Sequence, residues 1–259
     1  MKLSLVVCEG RRDRVVISRV LAKRYGWVPI EEKAAKDKNL FTDRPFVDGR
    51  NGRALLKHPK DGRVLAILER SRTEQADTIG KMIRYNHSRE PRWERLLVVF
   101  DSDGRDAPSG LDESNRAHTA SLFAHAHFPL AGDPLRDWTA VAAPIPDLVP
   151  PGAVPVQVRA HALPGSDEPG SLESLLLAAL GEETHRRLIA HLREALQAAK
   201  GLKTDYMAGA GELEKALTGA VLSVLLPDLR HHSLERRIGD VPWEDSSSLL
   251  LALSGLADL

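Results

Sequence analysis

Asp101 and Asp103 stand one residue apart at the end of the apolar run Leu96 to Phe100, in the stretch RLLVVFDSDGRD. Like charges at the end of a buried strand repel one another, and two on the same side call for a cation to neutralise them. Strand side chains alternate with period two, so both carboxylates point the same way and can reach one divalent ion. A second acidic pair, Glu9 and Asp13, follows the apolar run LSLVVC in CEGRRD, and Glu173 stands in the segment SLESLL. Hard oxygen ligands with no His or Cys among them favour Mg²⁺ or Mn²⁺ over zinc. Gly10 and Gly104 are expected to let the backbone turn sharply behind these acids and to leave room for a phosphate.

Acids so far apart in sequence need a frame to bring them together. LSLVVCEG reads as a short buried strand closed by a Glu-Gly turn, and RRDRVVISRVLAKRYG places Val15, Val16, Val20 and Leu21 at helical spacing with Gly26 as its C-cap. Residues 27–62 are rich in charge, Gly and Pro and read as an irregular insertion of hairpins or extended loop. Arg63 to Leu68 is a second strand, followed by a helix over TEQADTIGKMIRYNHSR with Ile79, Met82 and Ile83 inward. RLLVVF is the third strand, followed by a helix over ESNRAHTASLFAHAHF, and the Pro-rich residues 139–153 read as a loop. VPVQVRAHALP alternates as a fourth strand, and Ser171 is the candidate N-cap of a helix burying Leu172, Leu175 and Leu176. Beyond Gly181 the chain reads as almost wholly helical.

Strands alternating with helices predict an α/β fold with a mostly parallel four-stranded sheet flanked by helices and a helical C-terminal extension. The expected division is a catalytic α/β domain over residues 1–180 and a helical region over 181–259 packed on it. In such sheets function gathers where strands end and helices begin. Three of the four strands deliver carboxylates there: Glu9 and Asp13, then Asp101 and Asp103, then Glu173 in the helix after the fourth.

Bulk properties set limits on the rest. A chain of 259 residues with 42% hydrophobic content can bury at least one full core. No run approaches the roughly 20 apolar residues of a membrane span, and the N-terminus lacks a signal peptide's apolar region, so a cytoplasmic protein is expected. The single cysteine, Cys8, cannot form an intramolecular disulfide and reads as a buried strand residue. A net charge of zero hides an asymmetry: residues 1–100 carry 23 Lys and Arg against 13 Asp and Glu, and the remainder reverses the balance. A positive field over one part of the surface attracts polyanions, of which nucleic acid is the commonest. His231 and His232 lack ligand partners at metal spacing and read as surface residues, while Trp243 is expected to anchor the tail SSSLLLALSGLADL, which either docks on the sheet or makes a homodimer contact.

CEGRRD together with FDSDG resembles the Toprim domain, the catalytic module of topoisomerases, bacterial-type primases and several nucleases. Its pattern is a strand-terminal Glu-Gly followed much later by Asp-x-Asp, and the resemblance covers roughly residues 1–180. The resemblance puts Glu9 on the family's glutamate, with acid/base work and metal contact, and puts Asp101 and Asp103 on its metal-binding pair. Asp13 and Glu173 are similar to further acids of nucleases of the OLD (overcoming lysogenization defect) kind, where a second metal is held. Lys203, in KGLKTDYMAG, is placed by the same resemblance on a lysine near the phosphate. The chain carries no ATPase, nucleophilic-tyrosine or zinc-binding polymerase segment, so its closest match in layout is a small stand-alone Toprim protein, and a separately encoded ATPase is a compatible partner.

The resemblance therefore implies Mg²⁺- or Mn²⁺-dependent phosphodiester chemistry on DNA or RNA, most simply a nuclease. Arg11, Arg12 and Arg14, at the start of the first helix where backbone N–H groups also attract anions, are the candidates for steering the nucleic-acid backbone. Two other readings stand beside it. One is a module of the same fold that binds nucleic acid or a partner without cutting. The other is a HAD-type phosphatase, whose first motif FDSDG also resembles, with Asp101 as nucleophile.

Overall fold

The computed structural model describes residues 2–31, 52–86, 92–102, 110–125, 130–141, 156–165, 170–181, 185–200, 210–229 and 233–259. Four apolar runs form the parallel centre of the sheet: β1 (Leu3–Cys8), β4 (Val64–Glu69), β5 (Trp93–Asp101) and β7 (Gln157–Leu163). Such runs suit strands covered on both faces, and residues of β1, β4 and β5 are almost all buried. The sheet is larger than the expected four strands. Its order is β2-β3-β4-β1-β5-β7-β6, seven strands in a mixed arrangement.

The three additional strands lie at the edges and run antiparallel. β3 (Arg53–Lys57) and β2 (Val28–Pro29) come from the segment read as irregular, and β6 (Thr139–Ala140) from the segment read as a loop. Their sequences hid them for a physical reason. β2 and β6 are two residues long, too short for a periodicity, and β2 ends on a proline that only an edge strand tolerates. Residues 32–51, the rest of that insertion, lie outside the described residues.

Helices cover both faces. On one face α2 (Arg72–Asn86) and α3 (Leu111–His125) pack Ile79, Met82, Ile83, Leu122 and Phe123 onto the even-numbered side chains of β5, such as Val98 and Phe100. On the other lie α1 (Arg11–Tyr25), α4 (Leu172–Leu180), α5 (Arg186–Lys200), α6 (Ala210–Leu225), α7 (Leu234–Asp240) and α8 (Ser247–Ala252). Val16, Ile17, Val20 and Leu21 of α1 meet Leu172, Leu176 and Leu222 in this second core. α1 ends at Gly26, whose φ of 74° is the left-handed cap expected there. Among the described residues no helix is long and apolar enough to cross a membrane.

The C-terminal tail is built into the molecule. Leu249, Leu253, Leu256 and Leu259 are buried, Arg19 pairs with Glu244 at 2.8 Å, and Arg63 donates to the Leu259 carbonyl at 2.7 Å. Trp243 is 1% exposed, and its indole N–H donates to the Ile238 carbonyl at 2.6 Å, so it fastens the tail as the sequence suggests. Gly255 sits so close to β7 that a Cβ there would collide with His161 Nε2. Trp243→Ala is expected to cost about 3–5 kcal/mol of unfolding free energy in urea, the usual loss for a buried indole. A loss below about 1 kcal/mol would mean that the tail is not part of the folded core.

Candidate functional site

The acids at the C-terminal edge of the sheet are held by backbone donors from neighbouring elements. β1 ends at Cys8 and the chain turns into α1 at Gly10, leaving Glu9 at the rim. There a Glu9 carboxylate oxygen accepts the Asp101 backbone N–H at 3.3 Å, joining residues 92 apart in sequence. Asp101, the last residue of β5, in turn accepts the Leu172 backbone N–H at 2.9 Å and so caps α4. Ser171 is the N-cap, as expected, with its backbone N–H accepted by the Ser174 hydroxyl at 3.2 Å, while its own hydroxyl donates to Glu173 at 3.2 Å and Glu214 at 3.4 Å. Asp101 thus adds a side-chain acceptor to a helix start whose N-cap residue is Ser171.

Asp13 sits one turn into α1, where its carboxylate accepts the Gly10 N–H at 2.7 Å. That closure explains an acid at the third helical position without reference to chemistry. Gly10 itself has φ −145° and ψ 174°, an extended conformation open to any residue, so the turn does not demand a glycine. Glu173, in the first turn of α4 and 4% exposed, takes the Arg12 guanidinium at 2.5 Å. Arg12 also reaches Glu235 at 3.7 Å.

The electrostatics follow from burial of like charge. Asp13 is pushed up to about 7, by loss of solvent first and then by Glu9 and Glu173, against the Gly10 N–H and Arg12. Asp101 is pushed up to about 8, again by loss of solvent and then by Asp13 and Glu9, against the Leu172 N–H. Glu9, Asp13, Asp101 and Glu173 thus lie within electrostatic reach of one another. All are oxygen donors, and their excess charge is what a hard divalent ion would relieve. Among the described residues no three His, Cys, Asp or Glu side chains form a group able to hold a metal. Asp103, Lys203, His231 and His232 lie outside the described residues.

Two of the three arginines proposed to steer nucleic acid are engaged within the protein. Arg14 pairs with Glu69, which also accepts the Gly52 N–H at 3.0 Å, and Arg12 holds Glu173, while Arg11 is exposed. Glu69 ends β4, so the fourth parallel strand delivers a carboxylate as well. Its signal was present, a Glu directly after the apolar run VLAIL. Glu214 of α6, which accepts the Ser174 hydroxyl at 2.6 Å, gave no signal, because an acid on a helix surface is ordinary. Cys8 is fully buried, its thiol facing the Leu68 carbonyl at 3.4 Å and its pKa raised chiefly by burial.

A clip on the opposite side of β5 sets the height of Asp101. Ser102 accepts the side-chain amide of Asn115 from α3 at 2.8 Å, donates its N–H to Leu163 and accepts the N–H of Gly170. Gly170 has φ 153°, and a Cβ there would meet Ser174 Oγ at 2.7 Å, so this crossing admits only glycine.

The fold and the rim of carboxylates define an α/β protein built on a seven-stranded mixed sheet. It is similar to the crystal structure of hypothetical protein PH0156 from Pyrococcus horikoshii OT3, with a TM-score of 0.58 and 17% sequence identity, over 99% of this chain and 95% of that one. At that identity the likeness shows the fold alone. No family model and no curated protein matches the sequence.

The raised carboxylates give a pH dependence of known sign. Their folded pKa values lie above the unfolded ones, so this contribution is fully present below about pH 4 and is lost as pH rises through 7 to 8. In EDTA, the thermal midpoint is expected to fall between pH 5 and pH 8.5 more steeply in the parent than in Asp101→Asn, which keeps an oxygen for the Leu172 N–H. Parallel profiles for the two proteins would show that Asp101 ionises freely.

Proposed function

We propose that the protein is a Mg²⁺- or Mn²⁺-dependent nuclease of the Toprim kind, working at the rim where β1 and β5 end. One observation carries this reading: Glu9 touches the backbone of Asp101 although 92 residues separate them. The family resemblance requires those positions to meet, and composition or helix periodicity alone does not. Asp13 and Glu173 close on the same point from the first turns of α1 and α4.

The donor set suits a hard divalent ion in its chemistry: carboxylate oxygens only, buried at Asp13 and Glu173, half-buried at Glu9 and Asp101, and mutually repelling. Asp101, Glu9 and Asp103 would hold it, with Asp13 and Glu173 available to a second. When bound, such an ion polarises a phosphoryl oxygen and lowers the pKa of a bound water. The chain's own contributions are separate. Glu9 moves a proton at its carboxylate, beside Asp101, whose backbone N–H it accepts. The N-terminal ends of α1 and α4 offer backbone dipoles to an anionic phosphate, although Asp13 and Asp101 already use the Gly10 and Leu172 N–H groups. Arg12, held between Glu173 and Glu235, offsets the negative charge that a phosphate would meet.

The same ion pair favours a second reading, a module of this fold that binds nucleic acid without cutting. Arg12 already neutralises Glu173, which lessens the demand for a second metal ion there.

Supercoiled plasmid incubated with Mn²⁺ is expected to be nicked by the parent, with Glu9→Gln slower by about 10²–10⁴-fold, the usual worth of a general acid or base. Asp101→Ala is expected to abolish nicking while leaving salt-sensitive DNA binding in EDTA. Binding by the parent without nicking of DNA or RNA under either metal supports the non-cutting module and contradicts the nuclease.

A further inference from the structure

A cavity of about 670 Å³ opens between β7, α4 and α8, within the size range of small-molecule sites. Its wall includes Leu135, Leu175 and Leu251, and Leu251 is 77% exposed, an isolated large aliphatic side chain on the rim. Two polar side chains enter from β7: Arg159 and His161, two residues apart and hence on one face of the strand.

His161 is nine-tenths buried, and its Nε2 accepts the Gly255 N–H at 3.0 Å. A neutral ring that accepts at Nε2 carries its hydrogen on Nδ1. Burial and the neighbouring Arg159 lower the ring to about 4, which keeps it neutral. No hydrogen bond from Nδ1 is made to any described residue. Arg159 is loosely held: its Nε is sealed from the cavity, and at the guanidinium tip its Nη1 reaches Asp258 only at 3.4 Å. The guanidinium tip of Arg159 and the Nδ1–H of His161 therefore stand on one strand face beside an apolar wall.

The surrounding charge gives the sign of the ligand. Asp258 accepts the Trp138 indole N–H at 3.0 Å, and the Arg95 guanidinium lies 5.2 Å over the Trp138 ring. Among the described residues that line the cavity Arg159 is the one charged side chain, which suits a monoanion rather than a dianion. Ser248 and Ser254 line the same cavity, whereas the Ser174 hydroxyl is already given to Glu214.

We propose that this cavity binds a small aliphatic carboxylate, its two oxygens taking an Nη–H of the Arg159 guanidinium and the Nδ1–H of His161 and its chain lying along Leu135, Leu175 and Leu251. The site is separate from the acidic rim, and its ligand does not depend on the nuclease reading.

The test is titration of the full chain with sodium octanoate, followed by calorimetry and by backbone amide shifts, with octanamide and octylammonium as neutral and charge-reversed controls. Octanoate is expected to bind at least about tenfold more tightly than either control, as a charged hydrogen-bonded partner should. Shifts are expected at residues 159–163, 175–178 and 251–255. Arg159→Gln is expected to weaken binding about tenfold or more. Leu251→Glu, placed where 77% exposure leaves folding untouched, is expected to do the same by repulsion. Equal binding of octanamide or octylammonium, shifts centred elsewhere, unchanged affinity in both variants, or no saturation by about 10 mM octanoate would each overturn the proposal.

Discussion

Burial of like charge at one edge of the sheet is the constraint on which the rest depends. Parallel strands all end on the same rim, so acids placed after them are forced together whatever their separation in sequence. Here Glu9, Asp13, Asp101 and Glu173 gather there, and the protein supplies backbone N–H groups of Gly10, Asp101 and Leu172 and the Arg12 guanidinium as local compensation. That compensation is incomplete, because Asp13 and Asp101 are still held up at about 7 and about 8. Shifted carboxylates gathered at strand ends are found both in structural charge networks and in functional sites, and under the proposed function they are the second.

The scaffold is arranged to hold that rim still. Asp101 is fixed from both sides of β5: its own carboxylate caps α4, and the next residue, Ser102, is tied to Asn115, Leu163 and Gly170. α1, which carries Asp13 and Arg12, is covered on its outer side by α7 and by the turn around Trp243, and Arg19 fastens it to Glu244. The C-terminal helices thus stabilise the element that presents the acids.

Much of this frame was legible in the sequence because its signals were local and strong. The four central strands are unbroken apolar runs, and α1, α2 and α4 show their buried stripes at helical spacing. The acidic residues were legible because each follows such a run or opens the helix after it. What escaped was either too short or set by tertiary contact. β2 and β6 have two residues each, and β3 pairs with β4 only through a segment whose composition reads as loop. The acceptor that Asp101 adds beside the Ser171 N-cap of α4 depends on the approach of β5, which no local pattern encodes. The engagement of Arg14 with Glu69 and of Arg12 with Glu173 likewise needed the packed structure, since a run of arginines at a helix start reads equally well as an exposed basic patch.

Proton release on Mn²⁺ binding tests the central claim most directly. Carboxylates must be ionised to coordinate a metal, and burial among like charges holds Asp13 and Asp101 up at about 7 and about 8, so that protons remain on the pair near neutral pH. Calorimetric titration at pH 7 in buffers of differing ionisation enthalpy is therefore predicted to show roughly one to two protons released as the site fills. Saturable Mn²⁺ binding without proton release, or no binding at all, would contradict the account.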